Sequence, residues 1–245
     1  MTTDTPTCAI LGAGAGLGTA LARKFAAEGF NLALLSRTSE SAQPAIHAAT
    51  QASADCHAVH FRTDANDPGD VEQAVTRVIE HFGVPEVLIY NVRADFTGTP
   101  LLELDYTEIE SNYRIEVVSA FAAAKAALPG MLNRGHGCLF FSSATAAFRG
   151  SASHPLYAMG KFGLRALAQN LAKSHSRNGI HVAHFRLDCD LDMPLMRDYY
   201  GPDADSRGLA DPKAIADSYW WVYKQPRAAW SNEIELRPHT ENWTY

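Results

Sequence analysis

The 245-residue chain is short of the features that mark secreted, metal-stapled, nucleic-acid-binding or membrane proteins. It has only four cysteines, Cys8, Cys56, Cys138 and Cys189, and no two of them stand at a CxxC or similar short spacing. That spacing excludes the disulfide framework of small secreted domains and a thiolate zinc site, and leaves free thiols in a reducing compartment as the expectation. Basic surplus is missing as well: 21 Lys and Arg against 27 Asp and Glu leave a formal charge of −6, which removes the usual electrostatic footprint of a nucleic-acid binder. The first residues, MTTDTPT, carry no basic flank, and Gly12, Gly14, Gly16 and Gly18 interrupt the apolar stretch behind them, so no signal peptide is read. No unbroken apolar run reaches the roughly 20 residues of a membrane span, because Lys125 interrupts the longest candidate around Phe121. The expectation is a cytoplasmic protein with neither nucleic acid nor membrane as partner.

What is present is an ordinary globular composition, 47% hydrophobic and 20% charged, long enough to bury a self-sufficient core. No linker or repeat divides it, so residues 1–245 are read as one domain. Short apolar runs predict strands at Cys8 to Leu11, Asn31 to Ser36, His57 to Arg62, Val87 to Tyr90, Cys138 to Ser142, His181 to Arg186 and Ile234 to Leu236. Helical patterns alternate with them at Leu17 to Glu28, Ser41 to Ala52, Val71 to Phe82, Tyr106 to Asn133, Tyr157 to Arg177 and Pro212 to Lys224. Gly29, Gly83 and Gly179 stand where left-handed helix ends are wanted, and Asp67-Pro68 suits an N-cap and first helical turn. This alternation predicts an α/β, Rossmann-like, doubly wound parallel sheet in three layers, with ligands at the carboxyl ends of the strands.

Two motifs fall at those ends. Gly12-Ala-Gly14-Ala-Gly16-Leu17-Gly18 follows the first strand and opens the first helix. A pyrophosphate touches the main chain only where no Cβ intervenes, and a helix N-terminus adds free N–H groups and partial positive charge. Tyr157-Ala-Met-Gly-Lys161 places a phenol and an ammonium one helical turn apart, where the cation can favour the phenolate. Ser142 and Ser143, ending the preceding strand, can reach the same cleft to hydrogen-bond a carbonyl.

These residues resemble the classical short-chain dehydrogenase/reductase family over nearly the whole chain. Gly12, Gly16 and Gly18 match its GxxxGxG pattern, and Ser143, Tyr157 and Lys161 match its catalytic serine and YxxxK. The resemblance implies an oxidoreductase that interconverts a carbonyl and an alcohol, in which Ser143 polarises the oxygen, Tyr157 is the acid/base, and Lys161 lowers the Tyr157 pKa and holds the nicotinamide ribose. It implies cofactor contacts from Gly12, Gly14, Gly16, Leu17, Gly18, Asp64 and Asn91 besides Tyr157 and Lys161. It also implies a substrate lid near 188–210 and a homodimer or homotetramer joined through the fifth and sixth helices. Ser36 stands where NAD-selective relatives carry an acid, and Arg37 beside it can clamp a 2′-phosphate, so NADP(H) is favoured and NAD(H) stays open.

Three positions depart from the family pattern: Glu116 replaces its helix-five Asn, Arg93 the glycine of NNAG, and Leu187-Asp188 its Pro-Gly. A charge in a poorly solvated cleft needs a partner, so Arg93 and Glu116 are expected to pair; were Glu116 to pair with Lys161 instead, it would offset the cation and leave Tyr157 a weaker base at neutral pH, and the bland alternative is that both side chains swing into solvent. The same departures fit a second reading, a dinucleotide-binding regulatory or scaffold protein that has lost catalysis. No metal site is expected, since His57/His60 and His181/His184 are three apart on strands, and Asp188, Asp190 and Asp192 do not complete a calcium loop.

Overall fold

The computed structural model describes residues 5–240, and the side chains of all of these except 205–207. Seven strands, β1 Thr7–Leu11, β2 Asn31–Ser36, β3 Ala58–Arg62, β4 Val87–Tyr90, β5 Gly137–Ala144, β6 Ile180–Leu187 and β7 Glu233–Leu236, form one parallel sheet in the order β3-β2-β1-β4-β5-β6-β7. Among the described residues eight α-helices cover it: α1 Leu17–Ala27, α2 Ser39–Ala52, α3 Pro68–Phe82, α4 Tyr106–Tyr113, α5 Ser119–Arg134, α6 Pro155–His175, α7 Pro194–Tyr200 and α8 Pro212–Tyr223.

The central strands β1, β2, β4 and β5 are buried on both faces, which is why they read as continuous apolar runs. Successive β1 side chains alternate: Cys8 and Ile10 join the layer containing Leu21, Phe25 and Tyr219, whereas Ala9 and Leu11 join the opposite one with Val75, Ala123 and Leu164. The strand order reverses at β1 and β4, and their register sets Leu11 opposite Tyr90. The loops that follow therefore part from a common point and open a crevice.

The predicted strands all form, with ends shifted by two residues or fewer. Asp67 caps α3 by accepting from the Gly69 N–H, and Gly29, Gly83 and Gly179 have φ of 86°, 83° and 86°. Two elements differ from expectation. The helix predicted over Tyr106 to Asn133 is broken by a π-turn at Arg114–Val118, and a short helix, α7, lies within the predicted lid. By composition the stretch Tyr106–Arg134 is long and apolar enough to cross a membrane, but its buried Ala120, Ala123, Ala124 and Ala127 belong to the core of this domain.

Candidate active site

The glycine turn follows β1. Gly12 has φ +83°, and a Cβ there would stand 2.5 Å from the Asn91 carbonyl oxygen; one on Gly18 would stand 2.5 Å from the Gly12 carbonyl oxygen. These two glycines let the turn, the first helix and the β4 loop close on one another. Asn91 fastens the arrangement by donating its Nδ2–H to the Gly12 carbonyl at 3.1 Å. Gly14 is different: a Cβ added to it meets nothing within 4 Å. Gly16, with φ +89°, is the N-cap of α1 and offers no side chain to its N–H groups. An open concave backbone beside an uncapped helix N-terminus fits a dinucleotide pyrophosphate.

Beside this turn lies a cleft of about 1190 Å³, into which Leu17, Asn91, Ser143, Tyr157 and Lys161 all face. The two serines that end β5 have separate fates. Ser142 pairs with the Tyr219 hydroxyl at 2.8 Å, whereas the Ser143 hydroxyl, equally buried, has no hydrogen-bond partner among the described residues. Tyr157 and Lys161 lie one turn apart on α6, with Lys161 Nζ 5.4 Å from the centre of the Tyr157 ring.

The expected Arg93–Glu116 pair does not form. Arg93 is exposed, its guanidinium 5.8 Å from the centre of the Phe96 ring, and Glu116 pairs with Lys161 at 2.7 Å. Burial decides the choice. Lys161 is 2% exposed and Glu116 fully enclosed, so each needs the other, while Arg93 keeps its hydration. The second carboxylate oxygen of Glu116 accepts the Ala94 N–H at 2.9 Å. Local backbone brings the acid there. Glu116 sits in the π-turn, where the Tyr90 hydroxyl donates to the Ile115 carbonyl at 2.5 Å. On α6, Gly160 leaves the gap that Glu116 enters, since a Cβ there would lie 2.8 Å from Glu116 Cγ.

Lys161 does pull the phenol's pKa down as expected, but burial first and this partner second outweigh it. Burial pushes the Tyr157 pKa up, Lys161 pulls it down, Glu116 pushes it up again, and the balance lies above the ordinary phenol value. For Lys161, burial alone would lower the pKa, yet the adjacent Glu116 outweighs it and the ammonium is held charged more firmly than usual.

Arg37 and Asp64 stand at the carboxyl edges of β2 and β3, beyond the residues that line the cleft. Asp64 accepts from the Asn66 N–H and Nδ2–H, which hold its carboxyl below the usual range, with Arg37 adding a smaller pull. Arg37 is exposed and makes no hydrogen bond or ion pair among the described residues.

The lid closes the other side. Met193, just before α7, packs on the glycine turn, its Sδ 3.2 Å from the position of a Cβ on Gly16, and a bridge between Leu191 and Ala210 ties the lid's ends. Asp188, where the family has its Pro-Gly, is an anchor that accepts from Thr145 and pairs with Arg186 and Arg237. Asp190 takes the Tyr200 hydroxyl and Asp192 the Arg197 guanidinium, so the acidic run is spent on lid contacts. Among the described residues no three potential ligands gather for a metal ion. Phe96 and His154 escaped the sequence reading: Phe96 stacks on His154 at 3.9 Å and meets Tyr157 edge-on at 5.0 Å. No local pattern marks them, because loop folding alone brings them together.

Fold and site together define a dinucleotide-binding oxidoreductase. Residues 6–187 match the family model for short chain dehydrogenase, and the chain belongs to that family, whose members are NAD(P)-dependent oxidoreductases. It is similar to an uncharacterized oxidoreductase of Staphylococcus aureus (strain USA300), 26% identical over 94% of this chain and 95% of that one. Levodione reductase of Leifsonia aquatica is 28% identical over 71% of this chain and 65% of its own length. Among solved structures, a short-chain dehydrogenase from Rhodopseudomonas palustris is 32% identical with a TM-score of 0.80, covering 96% of this chain and 99% of that one. L-Sorbose reductase from Gluconobacter frateurii, solved with NADPH and L-sorbose, is 18% identical with a TM-score of 0.86 over 99% of each chain, a likeness of fold.

Proposed function

We propose that the protein interconverts an aldehyde or ketone with its alcohol, with NADP(H) preferred to NAD(H). The observation that carries this reading is the unpartnered, buried Ser143 hydroxyl in the same cleft as Tyr157 and Lys161, beside a glycine turn open at Gly14. When bound, the nicotinamide supplies or accepts the hydride at the substrate carbon. In reduction Ser143 donates a hydrogen bond to the carbonyl oxygen, and Tyr157 gives that oxygen its proton as the carbon–oxygen π electrons move onto it. Lys161 binds the nicotinamide ribose and steadies the phenolate left behind. The exposed Arg37, next to Ser36 rather than an acid, supports the preference for a 2′-phosphate, as do similar folds solved with NADPH.

Loss of NADPH absorbance over a panel of aldehydes and ketones tests the reading. Tyr157→Phe is expected to lower turnover at least about a hundredfold while the fluorescence-titrated cofactor affinity stays within about twofold; near-wild-type turnover would refute the assignment. The Glu116–Lys161 pair favours a second reading, a regulatory or scaffold protein that binds the dinucleotide without catalysis, and cofactor binding with no turnover across the panel would carry it. Half-exposed Tyr113, Phe121 and Phe162 on α4, α5 and α6 support a homodimer or homotetramer, measurable by sedimentation.

A further inference from the structure

We propose that Glu116 is a positioning residue that offsets part of the charge Lys161 presents to Tyr157, and so helps keep the buried phenol a proton donor rather than a proton acceptor at neutral pH. The inference deepens the proposed acid/base role of Tyr157 and rests on it.

The geometry leaves the carboxylate little else to do. Its one oxygen is 2.7 Å from Lys161 Nζ, the other takes the Ala94 N–H at 2.9 Å, and no part of the side chain reaches solvent. A carboxylate this close to a buried ammonium offsets part of its field at the phenol, because charges enclosed by protein are weakly screened. Three devices hold it: the π-turn that carries Glu116, the gap at Gly160, and the backbone donor of Ala94. The charged groups facing Tyr157 come from four elements. Lys161 lies on α6, Glu116 on the π-turn, Arg93 on the loop after β4 and Asp190 on the loop after β6. Burial is the largest influence on the phenol, and Arg93 and Asp190 oppose one another with smaller effects, so Glu116 sets how far Lys161 offsets that burial. Reduction consumes a phenolic proton and alcohol oxidation needs a phenolate, so this arrangement extends reduction to high pH and delays oxidation until alkaline pH.

The test is the titration of one phenol. Phenolate difference absorbance of the full chain against its Tyr157→Phe variant isolates Tyr157 among nine tyrosines. Without Glu116 the cation acts undiluted. Glu116→Gln keeps an acceptor for Ala94 and is expected to lower the Tyr157 midpoint by about one unit or more, with the alkaline limb of alcohol oxidation moving down equally. Glu116→Asn, smaller and able to admit a water, serves if the Gln chain fails to fold and should shift the midpoint in the same direction. Glu116→Asp keeps the charge and should leave the midpoint near that of the native protein. An unmoved midpoint in Gln or Asn overturns the proposal, as does an equal drop in Asp, which would make the role one of shape. Because the titration needs no turnover, an inactive protein that passes it would count against the proposed reaction and not against the role of Glu116.

Discussion

At the scale of single residues, Arg37 and Gly12 carry the most separable consequences. Arg37 is an exposed guanidinium whose internal interaction is a weak pull on the Asp64 carboxyl, so its removal is expected to leave the fold intact. A charge-assisted phosphate contact is worth about 1.5–3 kcal/mol. Arg37→Ala should therefore weaken NADPH binding roughly tenfold to a hundredfold while NADH affinity changes less than about twofold; equal losses for both would remove Arg37 from the 2′-phosphate role. Gly12 behaves oppositely. Its φ of +83° and the 2.5 Å approach of the Asn91 carbonyl leave no room for a methyl group on either count. Gly12→Ala is expected to cost about 2 kcal/mol or more in urea denaturation, on top of its loss of cofactor binding. A variant as stable as the native chain would show that the turn can relax.

At the scale of elements, the contact between α6 and the π-turn is the one that builds the site. Its tightness depends on Gly160, where a Cβ would approach Asn112 Oδ1 to 2.4 Å and Glu116 Cγ to 2.8 Å. These are side-chain atoms, so Gly160→Ala should fold, with an overpacking cost of about 1–3 kcal/mol. The displaced Glu116 would then loosen from Lys161, and the Tyr157 titration should fall toward that of the Glu116→Gln chain. An unchanged titration would mean that the ion pair does not need this gap. Much of the element plan was legible in advance, since seven apolar runs became seven strands and Asp67, Gly29 and Gly83 ended helices as their chemistry dictates. The π-turn was not legible. The run from Arg114 to Val118 carries an ordinary helical pattern, and the extra residue is accommodated through a bond from Tyr90, a residue 25 positions away. Helix α7 was hidden likewise: only seven residues long, it contains no buried residue and so shows no apolar stripe.

At the scale of the whole molecule, the sheet interior sets a pH limit on stability. His184 on β6 is 1% exposed, neither ring nitrogen has a hydrogen-bond partner among the described residues, and burial lowers its pKa to about 4. The unfolded chain binds a proton near pH 6.5 and the folded chain resists until about pH 4, so stability from this residue is complete above pH 6.5 and is lost as the pH falls between those values. Up to about 3 kcal/mol is at stake, and His181, lowered in the same direction by burial, adds to it. Urea midpoints should fall from pH 7 to pH 4.5, and His184→Leu should flatten that slope; an equal slope in both proteins would locate acid sensitivity elsewhere.

Periodicity and backbone chemistry were enough to determine the parallel sheet, the glycine turn and the placing of Ser143, Tyr157 and Lys161 at one end of it, because each depends on residues close in the chain. Which buried charges meet was decided only by packing. Arg93 and Lys161 were both available to Glu116, and nothing local distinguishes them. The choice arose from a π-turn that aims the acid, a missing Cβ that admits it, and the desolvation of one cation but not the other. Desolvation is a property of the assembled interior, so no reading of neighbouring residues contains it.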